Sequence, residues 1–208
     1  MMMVKIIKNI IMDAGGVFID TKTVTTANAI GVSPDQLRAV SGEAKKSDLW
    51  DDWLLGHVDG EEFESRLCSV LEPDLRTVGH RWLSTECYGS GLPIHDGVLK
   101  DMHYLHDVEG HPVFILSNIV DRTLDYLRDS GIADSFDGGV YSCEEHMMKP
   151  DHAIYQLLLD RFHLDPRETA FFDDKLENCI AAREVGIIAY HWKGDVSLLD
   201  AFRSLTLS

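Results

Sequence analysis

The sequence predicts an α/β fold: a doubly wound, Rossmann-like parallel sheet with a small helical bundle inserted after its first strand. Two observations support this prediction. Short apolar segments are continuous rather than alternating with polar residues, which is typical of strands buried on both faces. Helical patterns separate these segments, and the long stretch between the first two of them is helical throughout.

The first strand, at residues 9–12, leads into a carboxylate and a glycine turn. Asp13 follows the strand directly, and Gly15 and Gly16 come next. Glycines allow the backbone to reverse, so that N–H groups can face a ligand held beside the carboxylate. For this segment alone, helix capping by Asp13 is the simpler interpretation, and the residues at the other strand ends decide against it.

Residues 21–91 are predicted to form a cap domain of about four short helices. Ser33 and Pro34 mark a helix start, because proline fits the first helical position. Another helix is expected to begin at Asp59 and to break at Pro73. Three tryptophans at helical spacing are expected in the core of this bundle: Trp50, Trp53 and Trp82.

The remaining residues, 1–20 and 92–208, are predicted to form the core domain, in which strands and helices alternate. Its further strands are expected at 113–116, 139–142, 169–172 and 187–190, and its helices at 96–108, 121–129, 151–162, 176–185 and 197–205. Ligands of such sheets bind beyond the carboxyl ends of the strands. The residues just after each strand are therefore the candidate site.

Reactive side chains stand at several of these positions. Ser117 and Asn118 follow the second strand, Lys149 precedes a helix, and Asp173 and Asp174 follow the strand at 169–172. Each has an ordinary explanation, such as a helix cap or a solvated lysine. Together with the aspartate after the first strand, however, they would supply the groups that phosphoryl transfer needs.

In that chemistry a carboxylate attacks phosphorus, and a divalent cation offsets the repulsion between the two anions. Asp13 is the candidate nucleophile. Asp13, Asp174 and the backbone oxygen of Gly15 are candidate ligands of Mg²⁺, which binds few protein oxygens. The ammonium of Lys149 would neutralise charge. The phosphate oxygens would be held by the Ser117 hydroxyl and by backbone N–H groups of Asn118 and Gly16.

The four segments that carry these residues resemble the four motifs of the haloacid dehalogenase-like (HAD) hydrolase superfamily. The segments are Met12–Val17, Leu116–Asn118, Met148–Pro150 and Phe171–Asp174. The resemblance covers nearly the whole chain, and the helical insertion resembles the C1 cap of subfamily IA. The motifs and the stretch from Gly56 to Phe63 are most similar to the bacterial α-D-glucose-1-phosphate phosphatase branch.

This resemblance implies a Mg²⁺-dependent phosphatase with Asp13 as nucleophile. It also implies phosphate contacts from Ser117, Asn118 and Lys149. Asp174 would be a metal ligand, and Asp173 beside it would be a further ligand or a partner of the ligands. The implied substrate is a small phosphorylated metabolite, such as glucose 1-phosphate.

One position departs from the pattern of the superfamily. Most of its phosphatases carry an acid–base aspartate where this sequence has Gly15, and such help is typically worth ~10²–10⁴-fold. Glycine also occurs there in the sugar-1-phosphate branch, whose anomeric leaving group is more acidic than an ordinary alcohol. The substrate is therefore expected to have such a leaving group, or a cap residue such as His57 supplies the acid.

Two alternatives stay open at this point. A 2-haloacid dehalogenase would also lack the second aspartate, but those enzymes need no metal and, by resemblance, carry no aspartate at the position of Asp174. A non-catalytic phosphate-binding module could keep the site geometry without turnover. Mg²⁺-dependent turnover would exclude the dehalogenase, and trapping of a phosphorylated Asp13 would exclude the non-catalytic module.

The composition indicates which kinds of partner, cysteine site and location to expect. With 19 basic and 35 acidic residues the net charge is −16, which disfavours binding to nucleic acid. The four cysteines are far apart and form no CxxC pair, so neither a disulfide framework nor a zinc knuckle is expected. The sequence has no membrane-spanning segment or signal peptide, and a cytoplasmic protein is expected. It carries no signal for the oligomeric state.

Overall fold

The computed structural model describes residues 6–46, 48–84 and 92–206. A five-stranded parallel sheet has the order β3-β2-β1-β4-β5. Its strands are β1 (Asn9–Met12), β2 (Val113–Ser117), β3 (Gly138–Tyr141), β4 (Thr169–Asp173) and β5 (Ile188–His191). The predicted fold class is confirmed, with strand bounds that differ by at most one residue; Ser142, predicted to end β3, begins a short helix instead.

The register of the central strands brings their carboxyl ends to one level. Met12 of β1 pairs with Ile115 of β2 on one side and with Phe172 of β4 on the other. The next residue, Asp13, donates its backbone N–H to the Phe172 carbonyl at 2.9 Å. Asp13 therefore lies beside Asp173, the last residue of β4.

Helices cover both faces of the sheet, and alternate residues of β1 face them. Ile10 and Met12 pack in one apolar cluster, while Ile11 packs in the other. Within the core, the helices are α6 (Asp96–His103), α7 (Asp121–Asp129), α8 (Ser142–Glu145), α9 (His152–Phe162), α10 (Leu176–Glu184) and α11 (Leu198–Thr206). Asp151, predicted as the first residue of α9, is its N-cap.

The helix predicted over 96–108 changes type near its middle. After α6 the chain forms a π turn over Tyr104–Val108, in which Glu109 N donates to the Tyr104 carbonyl at 3.2 Å. A π turn accommodates one extra residue in a helical path. Leu105 is fully buried in this turn.

Five helices lie between β1 and α6 within the described residues, against about four predicted for the insertion. They are α1 (Thr23–Ala29), α2 (Pro34–Ala44), α3 (Leu49–Leu54), α4 (Gly60–Val70) and α5 (Pro73–Leu83). Pro73 begins α5 at its first helical position, where the missing N–H has no cost. The limits 21–91 for a separate cap domain stay a prediction, and residues 85–91 at its predicted end lie outside the described residues.

The aromatic core expected for this bundle is present. Trp53 is fully buried, and its ring stacks on that of Phe63 with centroids 4.0 Å apart. Trp50 and Trp82 are partly buried, and their rings stack at 6.1 Å. Among the described helices, none combines the length and the apolar character that crossing a membrane would require.

Candidate active site

Asp13 lies at the carboxyl end of β1 and is only 6% exposed. Three donors approach the same carboxylate oxygen, Oδ1: Ala14 N at 2.7 Å, Ser117 Oγ at 2.8 Å and Lys149 Nζ at 2.9 Å. These contacts fix the orientation of the carboxylate. They involve Oδ1 only, so Oδ2 is the oxygen available for attack or for a cation.

Lys149 is buried between two carboxylates. Its Nζ lies 2.9 Å from Asp13 Oδ1 and 2.7 Å from Asp173 Oδ2, and it donates to the Leu116 carbonyl at 2.8 Å. Burial by itself disfavours the ammonium, but the two carboxylates outweigh it, and the pKa of Lys149 is raised. The side chain therefore stays charged.

Asn118 holds the segment that carries Lys149. The Asn118 amide donates to the Lys149 carbonyl at 2.8 Å and accepts from the Lys149 backbone N–H at 2.8 Å. This pair of hydrogen bonds joins the loop after β2 to the loop after β3. Since the side chain is engaged in this way, only the backbone N–H of Asn118 is left for the predicted phosphate contact.

Asp173 is fully buried, and both of its oxygens are occupied. Oδ1 accepts from Lys175 N at 2.8 Å and Oδ2 lies against Lys149, while the Asn178 amide donates to both at 3.0 and 2.9 Å. A carboxylate so engaged is better suited to hold Lys149 than to bind a metal. Asn178 was not identified from the sequence. A signal was present, because Asn178 is a polar residue next to Cys179 and near Ala182 on the buried side of α10.

Asp174 differs from Asp173 in the environment of one carboxylate oxygen. Its Oδ1 is buried and has no hydrogen-bond partner among the described residues. Its carboxylate lies against Gly16, where a Cβ would come within 2.3 Å of Asp174 Oδ2. Gly16 also has a positive φ of 77°, so glycine is required there on both grounds.

The acidic side chains form a donor set that fits a hard cation. Asp13, Asp173 and Asp174 each place an oxygen atom in this cluster, and these oxygens lie within 4.8 Å of one another. Asp13 and Asp174 are the two whose oxygens are not both occupied by Lys149 and Asn178. A buried oxygen without a partner is costly, and a cation at this point would satisfy Asp174 Oδ1. All the donors are oxygens, which suits Mg²⁺.

The pKa values of the Asp13 and Asp174 carboxyls are raised, chiefly by burial. Burial raises the pKa of Asp13 to about 6, although Lys149 acts in the opposite direction. Burial and the neighbouring Asp173 also raise the pKa of Asp174. A cation in the cluster would favour the ionised forms of both carboxyls.

The glycine turn after Asp13 is closed by backbone hydrogen bonds. Gly16 N donates to the Ile19 carbonyl at 2.8 Å, and Ile19 N donates to the Ala14 carbonyl at 2.9 Å. Neither bond uses the Gly15 carbonyl, which stays a candidate cation ligand. A Cβ at Gly15 would approach Thr21 Cγ2 at 3.3 Å, a contact that small shifts relieve.

His57, the candidate acid of the cap, is found in another setting. Its Nδ1 lies 3.2 Å from Asp52 Oδ1, and its ring stacks on that of His146 with centroids 5.8 Å apart. His146 in turn donates from Nδ1 to the Leu55 carbonyl at 2.7 Å. The described contacts of His57 therefore belong to the junction between the bundle and the core, and its role as an acid stays a prediction.

A family model described as haloacid dehalogenase-like hydrolase matches residues 7–186 of the chain. The chain belongs to the HAD-like hydrolase family. The resemblance seen in the sequence is thereby confirmed at the level of the family, and the HAD-like fold and hydrolase class with it. Similarity to the glucose-1-phosphate phosphatase branch stays a prediction.

Curated relatives match parts of this HAD-like chain. The sesquiterpene phosphatase astK of Aspergillus oryzae is 36% identical over 98 residues, which cover 47% of this chain and 50% of that protein. Bifunctional epoxide hydrolase 2 of Mus musculus is 32% identical over 75 residues, 36% of this chain and 14% of that protein. The matches thus span half or less of these relatives.

Solved structures resemble the HAD-like chain over nearly its whole length. The HAD family enzyme bt-2542 of Bacteroides thetaiotaomicron, in complex with magnesium and inorganic phosphate, has a TM-score of 0.74 at 22% identity and covers 95% of this chain and 100% of its own. L-2-haloacid dehalogenase of Xanthobacter autotrophicus has a TM-score of 0.63 at 18% identity, with 98% and 89% covered. At these identities the comparison shows the fold alone.

Proposed function

We propose that this HAD-like hydrolase is a Mg²⁺-dependent phosphatase that acts on a small phosphorylated metabolite through an aspartyl-phosphate on Asp13. One observation carries the proposal: the buried Oδ1 of Asp174 has no partner among the described residues, and the Asp174 carboxylate belongs to a cluster that includes Asp13. The solved complex of bt-2542 with magnesium and phosphate, and the relative described as a phosphatase, support it.

The residues of this chain have separate parts in the reaction. A carboxylate oxygen of Asp13 attacks phosphorus while the bond to the leaving oxygen breaks, and water then hydrolyses the acyl phosphate. Ser117 and Ala14 orient the carboxylate through Oδ1. Lys149 offsets the charge of the nucleophile and of the phosphate.

Asp13 and Asp174, with the Gly15 carbonyl, would hold Mg²⁺, and Asp173 would hold Lys149. When bound, the ion lowers the repulsion between the attacking carboxylate and the phosphate. Backbone N–H groups of Gly16 and Asn118 would hold the phosphate oxygens. The Ser117 hydroxyl can join them only by turning away from Asp13.

Metal dependence is the direct test. Removal of divalent cations with EDTA is expected to lower turnover of a phosphorylated-metabolite panel at least about 100-fold, because a Lewis-acidic ion contributes several kcal/mol to the transition state. Asp174→Asn should act similarly, and Mg²⁺ should no longer raise the melting temperature of that variant. Asp195→Asn, an exposed aspartate, is the matched control.

The same experiment separates the alternatives. Turnover of a 2-haloacid that EDTA leaves unchanged would indicate a dehalogenase-type hydrolase. Binding of phosphate with Mg²⁺, but no turnover across the panel, would indicate a non-catalytic module. Either result would overturn the proposed phosphatase activity.

We further propose that the substrate has a leaving group that needs less general-acid help than an ordinary alcohol, such as the more acidic anomeric oxygen of glucose 1-phosphate. The basis is Gly15, which stands two residues after Asp13 and has no side chain that could donate a proton to the leaving group. A phosphate ester of an ordinary alcohol, such as glucose 6-phosphate, would depend more strongly on general-acid help.

Gly15→Asp tests this proposal, since the site admits a Cβ with only a small shift of Thr21. The variant is expected to raise the ratio of glucose 6-phosphate to glucose 1-phosphate hydrolysis at least about tenfold, because general-acid catalysis is typically worth ~10²–10⁴-fold. Gly15→Asn, which has the same size but no acid, should leave the ratio near that of the natural protein. A natural protein that prefers the 6-phosphate would contradict the leaving-group argument.

A further inference from the structure

The segment that follows Ser117 and Asn118 inserts into the helical bundle. Val120 is 5% exposed and belongs to the apolar cluster of the bundle, whose other buried members lie between Val40 and Leu83. The chain thus passes from a proposed phosphate contact into the bundle core within a few residues. A shift of the bundle would have to move this loop.

Asp121, the next residue, binds the bundle by hydrogen bonds. Its Oδ1 accepts from Trp53 Nε1 at 2.7 Å, and its Oδ2 accepts from Gly60 N at 2.8 Å. Gly60 is the first residue of α4, whose early N–H groups lack partners within the helix. Asp121 therefore caps a bundle helix from the core side, in addition to that helix's own cap, Asp59.

Arg122 adds an ion pair at the same junction. Its Nη1 lies 2.9 Å from Glu64 Oε2 of α4, and the two side chains are only 13% and 22% exposed. The Arg122 side chain covers Gly60 so closely that a Cβ there would lie 2.2 Å from Nε. Ion pairs shielded from solvent in this way are screened less than surface pairs.

The bundle also contacts the loop that leads to Lys149. Gly56 has a φ of 67°, and a Cβ on it would lie 1.9 Å from the Cys143 carbonyl oxygen. The loops after β2 and β3 are joined to each other by the Asn118–Lys149 pair and by Ser142, whose Oγ accepts from Ile119 N at 2.9 Å. The bundle therefore contacts both loops that carry proposed phosphate contacts.

We propose that Val120, Asp121 and Arg122 form a clasp that couples the docking of the bundle to the affinity for phosphate. The docked bundle holds residues 117–122 in the geometry that binds phosphate, and bound phosphate strengthens the docking. Such coupling is reciprocal, since each event must favour the other by the same factor. The inference rests on the proposed function, because it takes Ser117 and Asn118 as the phosphate site.

The test uses the full chain with Mg²⁺ and inorganic phosphate as the probe. In the natural protein, phosphate is expected to slow amide hydrogen exchange in residues 53–64. Arg122→Met and Glu64→Gln should each weaken phosphate binding about fivefold or more, within the usual range of coupling, and should abolish the added protection. The double variant should be no weaker than the worse single one, because both changes break the same ion pair.

The Arg203–Glu109 ion pair, which joins α11 to the segment before β2, supplies matched controls. Arg203→Met and Glu109→Gln should leave phosphate affinity within about twofold, as expected of independent sites. A purely structural role of Arg122 would lower the melting temperature without changing phosphate affinity, and that result would overturn the clasp.

The failure of the proposed function is distinguishable from the failure of the clasp. A natural protein that binds no phosphate in the presence of Mg²⁺ would contradict the proposed function. The docking itself is still measured without ligand, where Arg122→Met should speed exchange in residues 53–64 relative to the natural protein and to Arg203→Met. Unchanged exchange there would overturn the clasp whatever the substrate is.

Discussion

Asp13→Asn is expected to lower turnover roughly 10³-fold or more, the scale seen when a nucleophile is removed. Asparagine keeps the size of the side chain and an oxygen that can accept from Ala14, Ser117 and Lys149. It lacks the anionic oxygen that would attack phosphorus. Because a buried charge with a raised pKa is removed, we expect the variant to fold and to unfold at a temperature near that of the natural protein.

Two measurements check this expectation. The rate is measured on whichever phosphorylated metabolite the natural protein turns over, with Asp129→Asn as a control at an exposed position. Mass spectrometry of acid-quenched protein should show one added phosphoryl group on the Asp13 peptide of the natural protein and none on the variant. A variant that keeps its rate, or a phosphoryl group on another residue, would mean that Asp13 is not the nucleophile.

The placement of Asp13 beside Asp173 was predictable because it depends on strand ends alone. Continuous apolar segments identify parallel strands, and their carboxyl ends meet at one edge of the sheet. The observed register puts Met12 beside Phe172, and the residues that follow these two are the two aspartates. Sequence reasoning works here because the spacing is set by the backbone and not by side-chain contacts.

The different roles of Asp173 and Asp174 were not predictable in the same way. They depend on Asn178, which occupies both oxygens of Asp173, and on Gly16, against which Asp174 lies. Hydrogen bonds of this kind join residues in different elements and leave no period in the sequence. The two aspartates are identical in the sequence, but Asp173 has its partners, whereas Asp174 has a buried oxygen that no described residue contacts by a hydrogen bond.

The helical bundle was predicted more coarsely for a related reason. Helix α1 buries only Ala27, so its apolar stripe is too weak to be recognised. Pro73 was expected to break the helix that begins near Asp59; that helix does end before it, at Val70, and Pro73 is also the first residue of the next helix. The contacts of Asp121 with Trp53 and Gly60 connect segments more than 60 residues apart. No local pattern in the sequence predicts these contacts.

Lys149→Met is expected to destabilise the metal-free protein by about 3–5 kcal/mol near pH 8, as when one partner of a buried ion pair is removed. Methionine keeps the apolar stem, so the loss comes from charge. Without the ammonium, Asp13 and Asp173 face each other in a buried site with no counter-charge. Activity should be lost as well, because the nucleophile would hold a proton over much of the neutral range.

The sign of the pH dependence distinguishes this explanation from a packing defect. Lys149 lowers the pKa of Asp13, which burial raises to about 6, so its removal should raise that pKa further. A carboxyl whose pKa is higher in the folded state than in the unfolded state binds its proton more tightly when folded. Its protonation therefore stabilises the fold as the pH falls through the folded pKa toward the unfolded value.

Urea unfolding in EDTA at pH 8 and at pH 5.5 measures this difference. Lys149→Met should recover much of its lost stability at the lower pH, and Lys193→Met, at an exposed lysine, should follow the natural protein at both values. Equal destabilisation at the two pH values would show that the methionine packs badly and that the two carboxylates do not repel. In that case the Lys149 ammonium would not be the group that stabilises the two buried carboxylates, and the electrostatic role assigned to Lys149 would be wrong.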